Sequence, residues 1–100
     1  MVEMVPVKVG ETVAIGFTVE LPKTRILAVS TAKGYIMCGL IDLARLDTLR
    51  PERRILAARV THVRTIEDLL AGAVDEVSQE ARRLGIVEGM TGLQALEKMV

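Results

Sequence analysis

Residues 12–21 carry the pattern that most restricts how this chain can fold. Val13, Ile15, Phe17, Val19 and Leu21 alternate without a break with Thr12, Ala14, Gly16, Thr18 and Glu20. A period of two sets the first group on one side of a β-strand and the second on the other, a separation that a helix does not produce. At about 3.3 Å per residue the strand is about 33 Å long, against a radius of gyration of about 13 Å expected for a domain of this length. Such a strand either crosses the whole domain or projects from it.

The flanking residues extend the β region. Val5, Val7 and Val9 alternate with Pro6 and Lys8 ahead of Gly10-Glu11, which predicts a first strand and a tight turn, with Pro6 placing that strand at an edge. Beyond Pro22-Lys23, residues 26–29 and 35–41 are apolar runs without alternation, separated by a hairpin turn at Ala32-Lys33-Gly34. Strands apolar on both sides are normally covered on both faces. Asp42 stands where a helix cap stands, ahead of Leu43, Leu46 and Leu49, and Pro51 ends that predicted helix. Residues 55–63 read as a fifth strand. Thr65-Ile-Glu-Asp68 has the form of a capping box and opens a short helix that stops at Gly72. Val74, Val77, Ala81 and Leu84 share a helical face closed by Gly85, and Thr91-Gly-Leu-Gln94 repeats the capping box before Leu96 and Val100. Strands come first and helices later. That order predicts one α+β domain over residues 1–100, a two-layer sandwich of about five mainly antiparallel strands followed by C-terminal helices.

Composition narrows the function classes. Thirteen basic side chains balance thirteen acidic ones, so the chain lacks the electrostatic footprint on which nucleic-acid and anionic-membrane binding depend. Phe17 and Tyr35 are the only aromatics, too few for base stacking. A single cysteine rules out an intramolecular disulfide and a Cys-rich zinc site. The start, Met1 to Lys8, lacks the basic region and apolar core of a signal peptide, and no apolar run approaches the roughly 20 residues of a membrane span. The expectation is a cytoplasmic protein. The helices after the fifth strand cover one sheet face, yet the runs at 26–29 and 35–41 are apolar on both. A second copy of the chain is the economical cover, because soluble oligomers are mostly symmetric homo-oligomers and an N-terminal hairpin at an edge is placed to pair or pack. The alternative is that the predicted helix at 42–49 covers that face within one chain.

Four segments together resemble a known group: Leu21-Pro-Lys-Thr24; Gly34-Tyr-Ile-Met-Cys-Gly39 with Asp42; Val63-Arg-Thr-Ile66 with Leu69-Leu70; and Gly85-Ile-Val-Glu-Gly-Met90 with Gly92. In these, and in their order over essentially the whole chain, the sequence resembles the YunC-like family, small uncharacterised bacterial and archaeal proteins carrying a domain of unknown function. The Gly-Tyr-Ile-Met-Cys-Gly segment is the most specific of them. The resemblance implies a small α+β fold with an N-terminal β region used for tetramerisation, and it implies no reaction.

Cys38 is the first candidate for chemistry, because a thiol near the Asp42 cap of a helix can have its pKa lowered and act as a nucleophile. His62, the only histidine, is the base it would use if the fourth and fifth strands are neighbours. Against this, a lone cysteine between Ile36 and Leu40 also reads as a small core residue, and His62 as a strand-end residue at the core margin. No ligand pair has metal spacing, so neither a metal nor another cofactor is expected. Gly85, Gly89 and Gly92 fit no phosphate-binding fingerprint and read as turn glycines. Arg59 and Arg64, on or just after an apolar strand, each need an intersubunit ion pair or an anion to hold. Two readings follow. One is a homo-oligomeric, tetrameric module, structural or holding a small anionic ligand or a partner peptide near Gly34, Tyr35, Gly39, Asp42 and Arg64. The other is a small thiol enzyme with Cys38 as nucleophile and His62 or Asp42 assisting.

Overall fold

The computed structural model describes residues 1–39 and 54–100. The helix predicted at 42–49, with its cap at Asp42, lies outside the described residues. One mixed sheet runs in the order β1 (Val2–Val9), β2 (Thr12–Leu21), β3 (Thr24–Ser30), β4 (Tyr35–Met37), β5 (Ala57–Arg59) and β6 (Glu76–Val77). Three short helices are described: α1 (Ile66–Ala71), α2 (Gln79–Arg83) and α3 (Gly92–Glu97). Every neighbouring pair of strands is antiparallel except β4 and β5, which are parallel. The fold is α+β. Its longest axis is 33 Å, about the length of ten extended residues at about 3.3 Å each.

Local chemistry explains the turns and caps. Gly10, at φ 61°, opens the two-residue loop between β1 and β2, a position where only glycine is unstrained. Thr65 and Thr91 cap α1 and α3, their hydroxyls accepting from Asp68 N and Gln94 N at 3.1 Å. At α3 the Gln94 side chain also accepts from Thr91 N, at 2.9 Å, completing the box. At α1 it is incomplete, because the Asp68 carboxylate accepts from Arg64 N instead. Helix α2 ends in a Schellman turn, with Ile86 N donating to Ala81 O and Gly85, at φ 86°, supplying the left-handed residue.

The segment after α1 departs from its predicted helix. The spacing of Val74, Val77, Ala81 and Leu84 is helical, yet Val77 pairs with Ala58 to form β6, the sixth strand. Ser78 then starts α2. It is fully buried, and its hydroxyl accepts from Ala57 N at 3.1 Å and Ala81 N at 3.2 Å. One side chain thus closes a strand and opens a helix, which shortens the helix to five residues.

The register decides which side of the sheet is covered. Directly opposed residues point to the same face, so the pairings of Val7 with Ala14, Gly16 with Val29, Val29 with Ile36 and Ile36 with Ala58 define one face. That face is buried, together with Leu27, under Leu69, Ile86, Ala95, Leu96 and Met99. The helices therefore sit on the small-residue side of β2. The reason is space: a Cβ on Gly16 would come within 3.1 Å of Val5 and Val7 and 3.4 Å of Ile66. Close approach recurs at Gly92, where a Cβ would meet Leu69 O at 2.1 Å, so α3 rests directly on the backbone of α1. The large apolar side of β2 faces the other way. Val13 is 62% exposed, Ile15 38% and the neighbouring Met4 on β1 62%.

Candidate functional site

Because β4 and β5 are parallel, their C-terminal ends open at one end of the sheet, beside the start of β3. Gly39, Thr61, His62 and Arg64 follow those two strands, and Lys23 and Arg25 flank the first residue of β3. Arg25 ties the cluster together: Nη1 donates to Arg64 O at 2.7 Å, and Nη2 pairs with Glu20, its cross-strand neighbour, at 2.5 Å. Thr61 and Arg59 converge on Asp75. Arg59 Nε donates to Asp75 Oδ1 at 2.7 Å, Thr61 N donates to Oδ2 at 3.1 Å, and the Thr61 hydroxyl bonds the same oxygen. Burial pushes the Asp75 carboxyl up, but the hydrogen bonds from Thr61 and Arg59 and the Arg59 charge outweigh it and hold the group below the ordinary aspartate value. Arg59 also reaches Glu76 at 3.5 Å. Its partners thus lie within the chain.

Cys38 stands on the covered face. It is 5% exposed, and its Sγ accepts from Leu27 N at 3.5 Å, as a small core residue does. His62 is exposed, at φ 61°, with no hydrogen bond to Cys38. Nucleophile and base are thus not joined in this arrangement. Asp42, the alternative assistant, lies outside the described residues. The glycines of the same segment serve packing. A Cβ on Gly34 would fall 2.4 Å from Leu56 O, and one on Gly39 would fall 2.6 Å from Thr61 Cγ2. Gly34 and Tyr35 sit at the N-terminal end of β4, so the candidate set divides: Gly39 shares an end of the sheet with Arg64, and Gly34 and Tyr35 lie at the other. Among the described residues no group of three or more His, Cys, Asp or Glu side chains is placed to hold a metal ion.

Two clefts meet at Arg25 and Arg64. One, of about 520 Å³, lies between β1–β3 and α1 and is bordered by Glu3, Glu20 and Glu67 as well as by Val5, Ile66 and Leu70. The other, of about 460 Å³, is lined by Lys23, Thr24, Arg25, Val63 and Arg64. Sequence reasoning found Arg64 but passed over Lys23 and Arg25. The signal was present in Pro22-Lys23, where a lysine holds φ 62° at a turn position that glycine or asparagine fills more easily.

With this geometry the chain can be set beside known proteins. The family model described as "Domain of unknown function (DUF1805)" matches residues 37–99. The chain belongs to the DUF1805 family. The protein YunC of Bacillus subtilis (strain 168), described as uncharacterized, is 43% identical over 100 residues, covering 100% of this chain and 99% of that one. A crystal structure of TA1206 from Thermoplasma acidophilum, titled a protein of unknown function, matches with a TM-score of 0.89 at 29% identity, covering 100% of this chain and 94% of that chain. The DUF1805 match begins at Met37, so it takes in Cys38, Gly39 and Arg64 but neither Lys23 nor Arg25. Among the described residues of this family member, no helix is long and apolar enough to cross a membrane.

Proposed function

We propose that this DUF1805 protein works as a homo-oligomeric module, a tetramer as its family resemblance implies, assembled through the uncovered face of its N-terminal sheet. The observation that carries the reading is the side of β1 and β2 bearing Met4, Val13 and Ile15, which stays exposed while the helices take the opposite side. Strands β1 and β2, of eight and ten residues, at about 4.8 Å apart and about 3.3 Å per residue present an apolar face of on the order of 300 Å² in projection. A face of that size lies within the about 300–600 Å² of the largest patch on a typical monomer, which is often a functional one, and supplies part of the roughly 800 Å² per partner of a standard interface. Face stacking is favoured over strand pairing at the edge. Pro6 interrupts the outer rim of β1 with a residue that has no N–H to offer a new ladder. A second copy supplies an equally apolar face, and a two-fold axis makes the contact self-complementary; this joins two chains, and a second contact between such dimers completes the tetramer.

A sedimentation-velocity run at micromolar concentration tests this reading. The expected mass is about four times the 10.9 kDa of the chain. A single species at the chain mass, unchanged on raising the concentration, rejects it. The thiol-enzyme alternative draws no comparable support, since Cys38 is buried and borders neither cleft.

A further inference from the structure

The cleft bounded by Lys23, Arg25 and Arg64 is bordered by cations and by no carboxylate. We infer that it is a binding site for a small molecule bearing a phosphate or carboxylate group, with Arg64 and Lys23 as the anchoring side chains. Arg25 is already committed to Glu20 and to Arg64 O. Those contacts fix its guanidinium as a wall of the cleft. Arg64 is held at both ends of its backbone, its N–H donating to Asp68 Oδ2 at 3.1 Å and its carbonyl accepting from Arg25. Its side chain nonetheless has no ion pair among the described residues, and neither has that of Lys23. A fixed arginine backbone carrying an unpaired guanidinium presents a fork suited to two oxygens of one anion.

Two further observations locate the anion. The adjoining cleft shares Arg25 and Arg64 but is bordered by Glu3, Glu20 and Glu67, whose charges repel an anion toward the Lys23 side. The backbone of Lys23 is strained as well. Its φ of 62° is a left-handed conformation that is costly for an L-residue and that glycine adopts freely. Glycine would relieve that strain; the residue here instead places a cationic side chain at the rim of the cleft. His62, also exposed and at φ 61°, follows β5 at the same end of the sheet. The volume of about 460 Å³ falls within the range of about 300–1,000 Å³ of small-molecule sites. The cleft is formed within one chain and does not require the proposed assembly.

The test is a ¹H–¹⁵N TROSY titration of the full-length protein with inorganic phosphate at constant ionic strength, chloride replacing phosphate in the reference series. Amides of Lys23, Thr24, Arg25 and residues 63–65 are expected to shift and saturate. Arg64→Ala and Lys23→Gly are each expected to weaken binding by about fivefold or more, the loss of a charge-assisted contact. Lys23→Gly suits its positive φ and so keeps the fold. Arg82→Ala, at a surface pair with Glu88 remote in sequence, serves as the control and leaves the affinity unchanged. Shifts that never saturate, or that persist in both cleft variants, overturn the site. So does an Arg64→Ala protein of lower assembly mass in which phosphate never saturates the wild type, because Arg64 then serves a subunit contact. A monomeric wild type that still binds phosphate separates this site from the assembly proposal.

Discussion

Val13 and Leu27 are both aliphatic residues inside adjoining strands, yet Val13 is 62% exposed and Leu27 is fully buried. They lie on opposite faces of one sheet. The face bearing Leu27 meets three helices and closes into a core with Val29, Ile36, Leu69 and Leu96. The face bearing Val13 carries residues just as apolar and is open over β1 and β2. Among the described residues burial follows the side of the sheet more than residue type, although Val5 on the covered side is 39% exposed. What sends the helices to one side is the small residues of β2, Ala14 and Gly16, which let Val7 and Ile66 approach.

The contrast can be pressed with paired substitutions. Leu27→Ala removes a fully packed side chain, and an urea-unfolding loss of about 2–5 kcal/mol is expected. Val13→Ala on the opposite face is expected to stay within about 0.5 kcal/mol in the dissociated chain. It is also expected to lower the apparent stability of the assembled protein in a concentration-dependent way. Equal losses for the two variants at every concentration break the contrast. Thr91→Ala tests the cap that seats α3 on the covered face. It removes one partner of the capping box, with an expected loss of about 1 kcal/mol and little effect on assembly mass.

The smallest effect concerns Asp75, whose carboxyl is held below the ordinary value of 3.8. A depressed carboxyl favours the ionised form in the folded state. Its stabilisation is therefore complete above the ordinary value and is lost as pH falls through the folded-state value. Thermal melts from neutral pH downward are expected to show this loss in the wild type and a flatter acid limb in Asp75→Asn. An identical acid limb in both proteins removes the Thr61–Arg59–Asp75 network from the acid response.

The fold was legible in the sequence where the signal is local. Thr65 and Thr91 announce the helices that start one residue later, each with its capping partner three residues on, and the period of two over residues 12–21 specifies β2 with its turns at Gly10 and Pro22. Non-local pairing is where the reading fails. Val77 keeps helical spacing with Ala81, but its partner is Ala58 on β5, and no window of sequence contains both. The two faces of β2 were also legible as different, but not which of them the helices would take, since that depends on the close approach of α1. At the candidate site Arg64 was visible as an arginine after an apolar strand. Its neighbours Lys23 and Arg25 come from a hairpin some 40 residues earlier and become neighbours only through the sheet order.

The open face itself is most directly tested by comparing the assembly mass of the wild type with that of Ile15→Glu and, separately, Val13→Lys, each checked for native circular dichroism. Both residues are exposed in the single chain, so a charge there leaves the isolated fold intact but is buried without a partner if the faces stack. The expected result is a wild-type tetramer and smaller folded species for both variants. Folded variants that keep the wild-type mass would contradict assembly through this face.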